Sequence, residues 1–143
     1  MLLFNFTEKE KFIMRSYEIN VEINKLSKPV KSKCEFSESD TKGVIVINFT
    51  KDYEHMIFDG VSARAVFDVG QVITTKVEIV NNQVVVTLTK EVLVEGKHKF
   101  EIILENEQSR LCSPQIIYDV ANSLEDDVVE NNDDSVGYFF NFG

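Results

Sequence analysis

Lys76-Val77-Glu78-Ile79-Val80-Asn81-Asn82-Gln83-Val84-Val85-Val86-Thr87-Leu88-Thr89 holds two alternating runs joined by a pair of asparagines. Asparagine tolerates positive φ, so Asn81-Asn82 suits a two-residue type I′ loop. That loop sets Val80 opposite Gln83, Ile79 opposite Val84 and Val77 opposite Val86. Val77, Ile79, Val84, Val86 and Leu88 then share one face. A slip of one residue would scatter them, so turn chemistry and hydrophobic pattern agree on the register.

The same period continues on both sides. Tyr17, Ile19, Val21 and Ile23 alternate with Glu18, Asn20, Glu22 and Asn24, the pattern of a half-buried strand. Residues 44–50 form a second strong strand, apolar on both faces at its start. Residues 62–69 place Ala63, Ala65, Phe67 and Val69 on one face, and Gly70 punctuates them. Residues 99–105 turn Phe100, Ile102 and Leu104 inward and Glu101 and Glu105 outward. Residues 110–112 and 115–120 follow, separated by Pro114, which suits a strand edge or a crossover. Residues 25–42 are polar and read as a loop around one short strand near Cys34 to Phe36. Residues 51–60 are ambiguous between turn and helical turn, and Asp59-Gly60 is a tight-turn signal. Near the N-terminus, residues 7–11 have the makings of one helical turn at most. About eight short strands with turns every ~8–12 residues predict an all-β sandwich or barrel.

Length and charge bound the function. A chain of 143 residues is one domain with a real core. We expect an N-terminal arm over 1–16, the β domain over 17–121 and an acidic-aromatic tail over 122–143. Six of the 24 acids fall at or after Glu125, where no Lys or Arg occurs. The 15 basic residues before it face the 18 remaining acids, so the body is near balance at −3. This is a poor profile for nucleic-acid binding. No stretch approaches the ~20 apolar residues of a membrane span, and the apolar start lacks a basic flank and is too short for a signal peptide. We therefore expect no nucleic-acid and no membrane partner.

Chemistry-bearing patterns are sparse. His55 and His98 lie in no metal spacing and read as loop histidines. Gly60-Val61-Ser62-Ala63-Arg64 lacks the second glycine of a nucleophile elbow. The acids between Asp126 and Asp134 lack the glycine and spacing of a calcium loop. Cys34 and Cys112 read as small, half-buried thiols. We expect no enzyme, no cofactor and no metal. Two features remain. Lys25, Lys28, Lys31 and Lys33 form a basic cluster that reads as a solvated loop, or as a receiver for the acidic tail of a neighbouring copy. Tyr138, Phe139, Phe140 and Phe142 end the chain, and Leu3, Phe4 and Phe6 begin it. The terminal aromatics either cover their own domain or dock on a partner.

Certain residues carry a family likeness. These are Ser39-Asp40-Thr41 leading into Val44 to Phe49, Asp59-Gly60 before Ala63 to Asp68, and Val86-Thr87-Leu88. With them go Val94-Glu95-Gly96-Lys97-His98-Lys99-Phe100-Glu101 and Ser113-Pro114-Gln115-Ile116-Ile117-Tyr118-Asp119-Val120. In order and punctuation this body resembles the N-terminal domain of phage baseplate upper proteins. The resemblance implies an immunoglobulin-like antiparallel β-sandwich of about eight short strands. It also implies an adaptor that anchors fibre or receptor-binding proteins to the tail tip, commonly as an oligomer. The implied partners are other virion proteins of baseplate, tail or capsid, and the implied location is the virion, assembled in the bacterial host cytoplasm. Baseplate upper proteins usually continue into a helical stalk, whereas this sequence ends at Gly143. That departure leaves open a collar adaptor, a capsid decoration or head-fibre base, and a spacer. A host-surface carbohydrate-binding module is a further alternative, weakened by the absence of Trp.

Overall fold

The computed structural model describes residues 6–127. Ten strands run β1 (Arg15–Glu22), β2 (Val30–Ser37), β3 (Lys42–Lys51), β4 (Glu54–His55) and β5 (Ser62–Asp68), then β6 (Val72–Val80), β7 (Gln83–Thr89), β8 (Gly96–Glu105), β9 (Arg110–Cys112) and β10 (Ile116–Ala121). A five-residue helix, α1 (Glu8–Phe12), precedes them. The strands form one wrapped ladder in the order β1-β3-β7-β6-β5-β8-β10-β2, with β4 beside β3 and β9 beside β8. The ladder nearly closes, because its two end strands, β1 and β2, approach each other along a seam: the Tyr17 hydroxyl on β1 donates to the Glu35 carbonyl on β2 at 2.7 Å.

The Asn81-Asn82 turn is as the pattern predicts: both residues have positive φ, 51° and 60°, and Ile79 faces Val84 while Val80 faces Gln83. The pairing does not extend to Val77 and Val86. Strand β6 leaves β7 after Glu78, and Val77 faces Ala63 on β5 instead. Thus β6 belongs to both halves of the sandwich and carries the chain around its corner, and it begins at Val72 rather than Lys76. Val77, Ile79, Val84, Val86 and Leu88 still share the core.

The fold is all-β as expected, and the expected antiparallel pairing holds except at two places. β1 runs parallel to β3 and β2 runs parallel to β10, in each case by a crossover rather than a hairpin. Strand β2 also exceeds the short strand expected near Cys34. It runs for eight residues, with Cys34 and Phe36 buried and Lys31, Lys33 and Glu35 exposed. Charged outward positions hid its period, and lysines on an end strand discourage edge-to-edge pairing. The histidines are strand residues, not loop residues: His55 lies in β4 and His98 in β8.

Strand β3 is apolar on both sides because both are covered. Ile45, Ile47 and Phe49 join the main core, while Val44 and Val46 join Val85 in a second cluster on the outer face. Phe6 and Met14 of the N-terminal arm pack on that cluster, with Val80. Removing such surface from water is worth ~1.5–3 kcal/mol per aliphatic side chain.

Tyr118, fully buried on β10, is the meeting point of the main core. Its ring lies 6.3 Å from Phe36, 6.0 Å from Phe67, 6.0 Å from Phe100 and 5.7 Å from His98. Its hydroxyl donates to the Val92 carbonyl at 2.7 Å. Phe36 extends this contact across the seam: it meets Tyr17 edge-on at 5.4 Å and lies on Gly43. A Cβ at Gly43 would stand 2.4 Å from a Phe36 ring carbon, so only glycine allows the ring this close to β3.

Gly43→Ala is therefore expected to push Phe36 off its seat and cost ~1–3 kcal/mol. Urea unfolding of the variant checks this; an unchanged midpoint would show that the Phe36 contact is dispensable.

Candidate functional site

Strand directions define two poles. β3 ends at the upper one, together with the link after β1 (residues 23–29), the Asp52-Tyr53 turn and the Asn81-Asn82 turn. β2, β5, β7 and β10 all end at the lower pole, where β1 and β8 begin. The described segments before β1 and after β10 both lie at the lower pole.

The lower pole is tied by polar contacts. Arg15 pairs with Asp40 at 2.8 Å, and the same carboxylate accepts the Ser37 amide at 3.0 Å. The Ser39 hydroxyl meets that of Ser123 and donates to Glu125 at 3.0 Å, which fixes the start of the tail against the β2–β3 turn. The Lys90 ammonium donates to the Glu38 carbonyl at 2.7 Å. Between β1 and β2 lies a cleft of about 350 Å³ lined by Arg15, Tyr17, Glu35, Phe36 and Asp119 among others.

Of the expected contact residues, Phe6 sits on the outer face of β3, with the Lys42 ammonium 5.0 Å from its ring centre. Leu3, Phe4, Tyr138, Phe139, Phe140 and Phe142 lie outside the described residues. Next to Phe6, Ile13 and Met14 line a groove of about 200 Å³ with Asp40, Thr41 and Lys42. Phe12, Ile13 and Leu124 are largely exposed at this pole.

The upper pole is built around Glu22, which the sequence reading passed over. Its carboxylate accepts the amides of Tyr53 (2.7 Å), Asn24 (3.0 Å) and Asp52 (3.0 Å) and the Thr50 hydroxyl (2.9 Å). Desolvation acts to raise its pKa, but these four donors outweigh it and hold the carboxyl at about 2. The donors come from a turn in which Asp52 and Tyr53 both have positive φ, 53° and 70°. Tyrosine rarely adopts that conformation; the Lys51–Glu54 pairing that closes the turn and the Glu22 carboxylate together hold it there. The turn projects Tyr53 into solvent beneath the Lys25 ammonium, 5.2 Å from the ring centre. A cleft of about 420 Å³ runs along the upper seam, lined by Asn20, Val21, Glu22, Lys25, Ser27, Lys28 and Val30. An Asn or Asp in an Asx-type turn has a sequence signature; a glutamate thirty residues away bonding Asp52 and Tyr53 has none.

The thiols sit apart, Cys34 buried in β2 and Cys112 half-buried in β9. Burial, then the adjacent Glu101 carboxylate, pushes Cys112 up to about 11; its thiol donates to Glu101 at 2.7 Å. Burial also raises Cys34. At neutral pH both are protonated and weakly nucleophilic. Among the described residues, no group of three or more His, Cys, Asp or Glu is arranged to hold a metal ion. No helix among them is long and apolar enough to cross a membrane.

Comparison with known proteins places this geometry. No protein-family model matches the chain, and no curated protein matches it. Among solved structures, it is similar to the N-terminal domain of phage TP901-1 ORF48, with a TM-score of 0.62 and 11% sequence identity. The two share a fold. The match covers 74% of this chain and 98% of that domain, so the wrapped β body corresponds to the phage domain almost in full.

The Glu22 site makes an expectation about acid. A carboxyl at about 2 in the folded protein, against 4.5 ordinarily, contributes stability that is complete above 4.5 and is lost as pH falls towards 2. Glu22→Gln cannot accept all four donors and does not titrate. Its deficit relative to the parent should be constant above that window and shrink within it. Denaturant midpoints measured across the window check this; a deficit that stays constant into acid would refute the role given to the charge.

Proposed function

We propose that this protein is a non-enzymatic structural protein of a phage virion, an adaptor of the baseplate or tail tip. In this role it docks on neighbouring subunits and anchors fibre or receptor-binding proteins. The observation that carries the reading is the fold likeness to a phage protein's N-terminal domain across nearly that whole domain. The strand order and punctuation of the sequence point the same way.

Physical features of the chain support it. Its rigid part is a wrapped sheet with a dense aromatic centre, and its exposed apolar groups collect at the poles: Phe12, Ile13 and Leu124 below, Leu26, Tyr53 and Ile57 above. Exposed aromatic and aliphatic groups rimmed by charge are what subunit contacts use. The terminal segments, with Leu3, Phe4 and Phe6 at one end and Tyr138, Phe139, Phe140 and Phe142 at the other, are the proposed clasps. His98 donates from Nε2 to the Val94 carbonyl at 2.8 Å, and its ring lies tilted against Tyr118.

The test is mass spectrometry of purified phage particles together with antibody labelling in the electron microscope. The chain should be present in several copies per particle, with label at the tail tip. Label on the head would move it to the capsid, and absence from particles would overturn the reading.

A further inference from the structure

The open edges of the wrapped sheet are not defended alike. β1 and β2 face each other along the seam and carry charge: Arg15, Glu18 and Glu22 on one, Lys31, Lys33 and Glu35 on the other. A further open edge arises where β6 changes partners. Residues 72–77 pair with β5, and only residues 78–80 pair with β7. Residues 72–76 therefore have a ladder on one side and none on the other. In a two-residue hairpin the flanking pair, here Val80 and Gln83, is hydrogen-bonded, and strand groups then point alternately to either side. Counting back from Val80, Lys76, Thr74 and Val72 turn their amides and carbonyls to the open side. The stretch Val72-Ile73-Thr74-Thr75-Lys76 is β-branched up to its one charge, the composition of a strand that pairs rather than of a blunted edge. Val72 is 72% exposed.

The outward side chains of this edge also lack partners. Lys76 stands opposite Arg64, a like charge whose guanidinium is taken by Glu105. Asp68 stands between Val72 on β6 and Lys99 on β8, and accepts the Gly70 amide at 3.2 Å. Among the described residues, neither Lys76 nor Asp68 enters an ion pair.

We propose that residues 72–76 pair antiparallel with the same residues of a second copy of this chain, about a two-fold axis at Thr74. Thr74 then faces its counterpart, Ile73 faces Thr75, and Val72 faces Lys76. Asp68 flanks Val72 one strand further in, ~10 Å from the neighbour's Lys76 backbone. A lysine and an aspartate side chain span that distance together, so each Lys76 reaches over Val72 to the other copy's Asp68, and its methylenes cover the exposed valine. The axis makes two such ion pairs and keeps the two Lys76 at opposite ends of the paired stretch. A register with Thr75 on the axis would instead set Glu78 against Val72, beside Asp68. The chain's own C-terminal segment fits the edge poorly. Residues 130–135, Glu-Asn-Asn-Asp-Asp-Ser, are types depleted from strands, and residues 136–142 bring no acidic side chain to Lys76. The contact is isologous and closes at a dimer. It goes beyond the reading above and does not depend on it.

Sedimentation of the full chain tests the pairing. The parent should shift from monomer to dimer with concentration, and to nothing larger. Thr74→Pro removes an amide on the open side and should abolish the dimer while circular dichroism stays unchanged. Lys76→Glu and Asp68→Lys, each alone, set like charges together twice and should weaken the dimer ~10-fold or more. Mixed in equal amounts, these two charge variants should form one-to-one dimers as tight as the parent's, because both ion pairs are restored between them. Hydrogen exchange reads the same edge: the Thr74 and Lys76 amides should gain protection as the dimer forms. A parent that stays monomeric would overturn the proposal, whether those amides are protected, by another segment of the chain, or open, for a different protein. Charge variants that dimerise as the parent does, a mixture that fails to pair, or growth beyond a dimer would overturn it equally.

Discussion

Tyr118 joins four strands and the β7–β8 link at one point. From β10 its ring reaches Phe36 on β2, Phe67 on β5 and Phe100 and His98 on β8, and its hydroxyl reaches the Val92 carbonyl in the β7–β8 link. Aromatic pairs of this kind add ~0.5–1.5 kcal/mol each beyond area burial. A buried carbonyl deprived of its donor costs ~1–3 kcal/mol. Burial also pushes the phenol pKa upward, so the hydroxyl stays a donor at any physiological pH. Phe36 passes the constraint on to Tyr17 and Gly43 and so brings β2 against β1 and β3. The sheet is thereby wrapped nearly shut, without a backbone ladder between its two end strands.

The wrapped centre leaves the poles free to differ. At the lower pole, side-chain contacts with the Ser37–Asp40 region hold the start of β1, through Arg15, and the segment after β10, through Ser123 and Glu125. At the upper pole, the β3–β4 pairing and the Glu22 carboxylate together hold a left-handed turn. Lysines on the outer face of β2 discourage indiscriminate pairing of that end strand.

Much of this frame was legible in the sequence, and the limits have physical reasons. The β6–β7 register followed from Asn81-Asn82, since few residues accept positive φ twice in succession. The inward faces of β1, β5 and β8 followed from period-two alternation. Strand β2 was under-read because Lys31, Lys33 and Glu35 resemble a solvated loop unless the buried Cys34 and Phe36 between them are weighed. The parallel pairings could not be read, because alternation reports which face is buried and not which strand lies alongside. Gly43 did carry a signal, as glycine at the head of an apolar strand marks close approach of another group. The Glu22–Tyr53 turn carried none, since its partners are brought together only by the parallel β1–β3 pair.

The central claim is that one buried tyrosine makes the frame cooperative while the poles stand outside that cooperation. Hydrogen exchange of the full chain, compared with Tyr118→Phe, tests it most directly. Loss of the Val92 bond should lower the protection of the slowest amides in β3, β5, β8 and β10 together and by the same factor. Amides of residues 24–29 and of the Asp52-Tyr53 turn should exchange as before. Faster exchange confined to β10 and the β7–β8 link, with the other strands unchanged, would contradict it.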